Sequence, residues 1–533
     1  MALENSHILL INSGPGVVGV ETLKNLVLPG VGNFTIQDSA IVSEADLGVN
    51  FFLEEEHLKG YRAEHTCNLL KELNPDVEGH FITEPIESWL LQPDALRPYT
   101  LIVATAPVRP ELLAKLSEHA SATLTPLFYV HSIGFCSHFS IHLPPAYPIV
   151  DTHPDQETTQ DLRLVQPWPE LVQFALDKTA GVNDMSAEDH GHVPYIALLL
   201  YHLEEWKKQH EGKVPENYKE KRAFRDALYA AARTDTPEGG EENFDEAVAA
   251  VLKSLNPPQP SSDVKDIFKA PECLLIREDT PSFWVIAHAI GLFYTKYNVL
   301  PVPGSVPDMK ARSADYIELQ NIYKSRARKD LAEVVESVRF LERTANRTNA
   351  IAEKDIETFC KNAAHIKLVR GRPFHIAIAG EQIKWSDRAK AMAQELTNPE
   401  HLMPLYLAFL AWDEFVATHV KDGLNSAPQV PGATEADADS EKVTGIALKL
   451  TADLVKEAGA EIEEEEYADI KRRVREFAAE LTRAGGAELH NIGALTGGMV
   501  SQEVIKVITE QYVPVNNTCV FDGIRSKTMA IRV

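Results

Sequence analysis

The sequence predicts an α/β chain: a Rossmann-like sheet domain, discontinuous in sequence, interrupted by a long and mainly helical insertion. Three observations carry this. At the N-terminus an apolar strand pattern runs into a glycine-rich turn and then a helix. From about residue 160 the pattern is almost wholly helical, and strand-like alternation returns only near the C-terminus.

Taken in order, His7-Ile-Leu-Leu-Ile-Asn12 reads as a buried strand. Ser13-Gly-Pro-Gly-Val-Val-Gly19 follows, then a helical pattern through Val20, Leu23, Leu26 and Val27 that Pro29-Gly30 ends. Phe34-Thr-Ile-Gln-Asp38 is a second strand, and the apolar runs 99–105 and 127–130 add two more, with helical material over 62–73 between. This alternation is what a βαβ sheet needs, and it places the first part of the sheet domain at 1–160. Helical patterns then cover 171–176, 195–206, 220–233, 244–255, 282–297, 311–343 and 404–419. Pro237-Glu-Gly-Gly240, Asn256-Pro-Pro-Gln-Pro260 and Leu300-Pro-Val-Pro-Gly-Ser-Val-Pro307 separate some of them. The stretch 425–441 lacks bulky apolar residues and reads as an exposed loop, while 461–466 (EIEEEE) reads as a solvated helix face. The insertion is therefore 161–484. A glycine-rich stretch, 485–498, introduces a helix over 499–509, and alternation over 513–521 and 528–533 has 485–533 completing the first sheet.

The chain has 533 residues, with 52 basic and 78 acidic side chains and a formal net charge of −26. That balance argues against a broad basic groove for nucleic acid, and a basic partner protein suits it better. Five widely spaced cysteines (67, 136, 273, 360, 519) without a CxxC point to a reducing compartment and no thiolate zinc cluster. No run approaches 18 uninterrupted apolar residues and no basic region precedes 8–11, so no membrane span or signal peptide is expected. The cytoplasm, the nucleus or both are the expected location.

Gly14-x-Gly16-x-x-Gly19 between a strand and a helix is the setting of a dinucleotide fingerprint: Gly14 for the tight turn, Gly16 for the phosphate approach, Gly19 for helix–sheet packing. Asp38 ends the next strand, placed to accept a ribose hydroxyl. Pro15 removes a donor from the loop, so the motif supports the architecture better than the ligand. An NAD(P)-dependent oxidoreductase would use the same glycines and Asp38, but it also needs a poised acid or base. His131, His138 and His142 have no recognisable partner and read as structural; His190-Gly-His192 lacks a third metal ligand. The cysteines read as small buried hydrophobes.

At Leu26-Val-Leu-Pro-Gly-Val-Gly32, Asp38 and Asp46-Leu-Gly-Val-Asn-Phe-Phe-Leu53 the chain resembles the adenylation fold of ubiquitin-activating-type E1 enzymes. Thr152-His-Pro-Asp155, Asp161-Leu-Arg-Leu164, Tyr218-Lys-Glu-Lys-Arg-Ala-Phe-Arg-Asp226 and Pro281-Ser-Phe-Trp284 extend the resemblance. So do Pro301-Val-Pro-Gly-Ser-Val-Pro-Asp308, Tyr316-Ile-Glu-Leu-Gln-Asn-Ile-Tyr323, Gly497-Gly-Met-Val-Ser-Gln-Glu-Val-Ile-Lys506 and Asn516-Asn-Thr518. In this order they cover nearly the whole chain, and they are most similar to the regulatory subunits of heterodimeric NEDD8-activating E1 enzymes.

The resemblance implies a fold that binds ATP and magnesium in its catalytic members and adenylates the modifier's C-terminal glycine. Carried over by position, Asp38 takes the ribose-aspartate place, the phosphate-contacting arginine falls on Asn50, and the lysine falls near Arg62. The magnesium aspartate falls around Ala106-Pro107, where there is no carboxylate, and no cysteine lies in the thioester motif. Losing a guanidinium and a hard oxygen ligand removes phosphate and metal chemistry together. Gly14, Gly16, Gly19 and Asp38 are then a vestigial frame, with no catalytic residue, functional cofactor site or metal site in this chain. ATP and magnesium are expected on a catalytic E1 partner subunit, with a NEDD8-like modifier and a cognate E2 met through the heterodimer. A scaffold unrelated to modifier activation shares the same losses. Family members carry a basic arm ahead of the sheet whose arginine reaches the partner's ATP site; Met1 lies just before the first strand, so no trans-acting arginine is assigned. Asn50, Phe51 and Phe52 are interface candidates, with two core aromatics as the competing reading of the phenylalanines.

Overall fold

A computed structural model of the chain describes residues 3–155, 161–234, 240–256, 259–419 and 429–533. It divides into two compact units, 1–147 with 369–533, and 148–368. The sheet unit thus takes in 369–484 as well as the C-terminal segment, whereas the sequence reading placed everything from 161 to 484 in the insertion.

The sheet unit is built on eight strands: β1 (His7–Ile11), β2 (Asn33–Gln37), β3 (Glu78–Ile82), β4 (Leu101–Thr105), β5 (Leu127–Ile133), β6 (Cys136–His142), β7 (Thr518–Asp522) and β8 (Lys527–Ile531). Their order is β8-β7-β6-β5-β4-β1-β2-β3. β3, β2, β1, β4 and β5 run parallel, and β6, β7 and β8 continue antiparallel. The C-terminal strands therefore complete the sheet begun by the N-terminal ones, as the returning alternation predicted.

β1 is buried on both faces because each face has its own cover. Helix α1 (Val17–Val27) lies close over Leu10: a Cβ on Gly19 would come within 2.9 Å of Leu10 Cδ1. On the opposite face Leu9 and Ile11 share an apolar cluster with Leu112 and Leu116 of α3 (Pro110–Thr123), α2 being Arg62–Leu73. The reason 369–484 belongs to this unit lies in a second cluster. There Tyr406, Phe409, Trp412 and Phe415 of the helix Met403–Thr418 are buried with Ile133, Cys136, Val520 and Ile531 of the strands. The helices Ala436–Ala458 and Glu464–Arg483 close around the same core.

Two sequence readings change here. The loop expected over 425–441 gives way to helix from Ala436, because Asp437 and Asp439 favour a helix start and Asp439 accepts the Gly432 N–H at 3.1 Å; residues 425–428 of that stretch lie outside the described residues. The last helix begins at His490, not 499, and runs through the glycines. Gly493 and Gly497 are a contact surface: a Cβ on Gly497 would lie 2.8 Å from both Glu21 Cβ and Thr22 N of α1.

The unit 148–368 is mainly helical. Pro169–Lys178, Tyr195–Gln209, Tyr218–Ala231, Glu242–Ser254 and Ser313–Thr344 surround one core. Tyr323 sits at its centre, its hydroxyl donating to the Leu162 carbonyl at 2.7 Å and its ring 5.0 Å from that of Trp168.

Candidate functional site: a nucleotide-type edge filled from within

In an open parallel sheet the ligand crevice lies beyond the carboxyl ends of the strands, where the winding reverses. Here that point is between β1 and β4. A cleft of about 520 Å³ opens there, lined among others by Gly14, Pro15, Asp38, Arg62, Pro107 and Arg109. Four of the sequence-predicted positions, Gly14, Asp38, Arg62 and Pro107, do meet on one surface.

The glycine loop has the expected geometry for reasons internal to the fold. Gly16 adopts φ +71°, and a Cβ there would lie 2.3 Å from the Asn12 amide nitrogen. Gly19 is needed for close packing, since its Cβ would meet Asn12 Oδ1 at 2.4 Å.

Asp38 is 3% exposed and already fully engaged. Its Oδ2 accepts from Arg62 Nε at 2.7 Å and Asn12 Nδ2 at 3.0 Å, and its Oδ1 accepts the Ala40 N–H at 2.9 Å. Arg62 in turn donates to Asp46 Oδ1 at 2.8 Å and to the Pro15 carbonyl at 3.3 Å. Burial works against the guanidinium's charge, but Asp38 and Asp46 outweigh it and raise its pKa. For Asp46, burial raises the pKa, but Ser43 and Arg62 outweigh it and hold the carboxyl below its usual range.

The start of α1 is occupied as well. Glu488 Oε2 accepts the Val18 N–H at 2.8 Å, at the helix end where backbone donors and dipole favour an anion. Glu488 is buried, and burial pushes its carboxyl up to about 7 against the pull of the Val18 N–H and Arg62. Sequence reasoning missed Glu488 entirely: its partner is 470 residues away in the chain.

Asn50 does not line the cleft. It is buried, accepts the Phe52 N–H on Oδ1 at 3.0 Å, and donates its own N–H to the Asp46 carbonyl at 2.8 Å. It is a turn former. Phe51 is 76% exposed, with its ring 3.8 Å from that of His490, while Phe52 is half-buried. Phe51 is therefore not a core aromatic. Ala106 is buried and Pro107 closes the cleft wall; Pro107 Cδ would lie 2.9 Å from a Cβ on Gly14.

The other residues read as structural lie in packed places. His131 and His138 are wholly buried on β5 and β6, and burial drives both well below the usual histidine range. His142 contacts Ser117 at 3.2 Å. His190 pairs with Glu241 at 2.7 Å and stacks on Phe244. Among the described residues no group of three or more His, Cys, Asp or Glu is placed to hold a metal ion. All five cysteines are buried, and burial pushes their thiols up to about 11 or 12.

A family model described as the ThiF family matches residues 1–533. The chain is 34% identical to the NEDD8-activating enzyme E1 regulatory subunit of Xenopus laevis, over 98% of this chain and 93% of that protein. It is 34% identical to that of Danio rerio (99% and 95%) and 31% identical to that of Drosophila melanogaster (100% and 94%). The sheet with its glycine loop and this near-full-length similarity agree: the chain belongs to the ThiF family, among the NEDD8-activating enzyme E1 regulatory subunits.

Proposed function

We propose that this chain is the non-catalytic half of a heterodimeric E1 that activates a NEDD8-like modifier. Adenylation and thioester formation belong to a catalytic partner subunit, which carries ATP and magnesium, and the cognate E2 is met through the complex. The observation that carries the reading is the self-filled edge. Arg62 and Asn12 hold the ribose-type Asp38, and Glu488 holds the N-terminal donors of α1. A nucleotide phosphate would have to displace a carboxylate and find a cation that two aspartates already hold. Asn50 offers no guanidinium for charge developing on a transferred phosphate, and Ala106-Pro107 offers no oxygen side chain to a divalent ion.

What remains for this sheet is orientation. It pairs with the similar domain of the catalytic subunit, and the helical insertion forms one wall of the cleft in which the partner's cysteine works. Asn50 shapes the turn that sets Phe51 outward against His490, and this aromatic pair is the proposed anchor of the subunit interface. Among the described residues no helix is long and apolar enough to cross a membrane; the cytoplasm, the nucleus or both are the proposed location.

The test is ATP–pyrophosphate exchange with the modifier present, on the purified chain and on the reconstituted pair. Exchange is expected only with the pair. Exchange by this chain alone overturns the assignment.

A further inference from the structure

Within the unit 148–368 a cleft of about 450 Å³ lies between the loop 301–308 and the helix Ser313–Thr344. The loop is seated on the helix by two contacts. The Val302 N–H donates to Asp330 Oδ2 at 3.0 Å, and Gly304, at φ +85°, lies so close that a Cβ would fall 2.8 Å from Ala327 Cβ. The proline-rich loop therefore makes one fixed wall and the helix the other.

Several cations of this helix are already paired. Arg326 pairs with Asp330 at 2.9 Å, Lys329 with Glu170 at 2.7 Å and Arg339 with Glu342 at 2.8 Å. The side chains of Lys324 and Arg328, which face the cleft, hold no hydrogen bond or ion pair with any described residue. Neither does Lys361, which reaches the same cleft from the end of the helix Glu353–Lys361. In a chain with 78 acidic and 52 basic side chains, three uncommitted cations around one groove mark it as a receptor for negative charge.

We propose that this cleft docks an extended acidic segment of a partner polypeptide. Lys324 and Arg328 are one helical turn apart, about 6 Å along the axis. Alternate side chains on one face of an extended strand repeat every ~6.7 Å, so carboxylates at alternate positions match the two cations. Glu357, one turn before Lys361, is the one carboxylate in the lining and repels a uniformly charged polyanion more than spaced carboxylates. Val302, Pro303 and Leu331 supply apolar surface for the segment's backbone and aliphatic stems. The proposal uses residues separate from the nucleotide-type edge and stands independently of the E1 assignment.

The experiment is fluorescence anisotropy of a labelled Gly-Asp-Val-Asp-Val-Asp-Gly peptide against the full chain, with the Asn-for-Asp peptide as control. Saturable binding is expected for the acidic peptide alone, weakening as ionic strength rises past about 0.15 M. Lys324→Glu with Arg328→Glu should weaken it at least about tenfold, whereas Lys329→Glu should leave it unchanged. Both changed residues are exposed, and Lys361→Glu provides a second variant on another helix. No saturable binding, equal binding of the neutral peptide, insensitivity to these charge reversals, or tighter binding of a single-stranded oligonucleotide to the same cations overturns the proposal.

Discussion

Replacing Glu488 with glutamine isolates the carboxylate that fills the start of α1. The glutamine carbonyl can still accept the Val18 N–H, so the contact survives while the charge is removed. Burial raises the carboxyl from its ordinary 4.5 to about 7, and the folded chain therefore binds this proton more tightly than the unfolded chain. The resulting stabilisation is complete below about pH 4.5 and is lost as the pH rises through about 7. Between pH 5 and 8 the parent should lose about 2.5 kcal/mol from this one group, following the linkage relation with those two pKa values. Glu510 and Asp413, pushed up by burial to about 7 and 8, titrate in the same window but do so in both proteins. The measurement is urea unfolding of parent and Glu488→Gln across pH 5–8, taken as the difference between the two. The variant should gain on the parent as the pH rises. A difference that stays flat with pH would mean that Glu488 is ionised and solvated in the folded state, contrary to its burial.

Three further outcomes follow from the same geometry. Arg62→Ala leaves Asp38 and Asp46 buried without their cation, so it should cost about 3–5 kcal/mol, read by urea denaturation, with Arg62→Lys recovering part of the loss. Phe51→Ala should leave the thermal midpoint of the isolated chain nearly unchanged, since the ring is 76% exposed, yet reduce co-purification with the catalytic subunit; a large loss of soluble chain would place Phe51 in the core instead. All five thiols should resist a thiol reagent in the native chain at pH 8 and react fully in denaturant, and rapid native labelling of any one would contradict their burial.

How far the sequence reached depended on whether the signal was local. β1, its glycine loop and α1 were legible because apolar run, turn and helix follow one another directly. β3 and β6 were not. β3 is an edge strand whose Glu78, Gly79 and His80 carry little apolar signal, and β6 places Ser137, His138, Ser140 and His142 at buried positions. Two of those polar groups are satisfied only by distant chain: Ser137 by Thr496 at 2.7 Å and Ser140 by Thr518 at 2.8 Å. Gly493 and Gly497, from the stretch that read as leading into a helix, sit inside the helix His490–Thr509, where α1 packs against them at near-backbone distance. At the candidate site, Asp38 and the glycines were visible as a motif. That Arg62 bridges Asp38 and Asp46, and that Glu488 caps the same edge, required three-dimensional juxtaposition.

The frame of this fold answers to packing constraints of its own. Gly16 and Gly19 are held by contacts with Asn12 and Leu10, so changing either would disturb strand and helix whether or not a nucleotide ever binds. On the proposed reading, a guanidinium at position 50 and a carboxylate at 106–107 would serve phosphate and metal. If another subunit performs the chemistry, as proposed, those charges are dispensable here, but an empty polar crevice would leave Asp38 and the first donors of α1 without partners. Arg62, Asn12 and Glu488 supply those partners from within the chain. The edge then sets Asp38 and Asp46 against the single Arg62 guanidinium, with Glu488 at the start of α1, a balance of charge that disfavours a triphosphate there. On this reasoning the same side chains that keep the sheet stable also keep it from competing with the catalytic subunit for ATP.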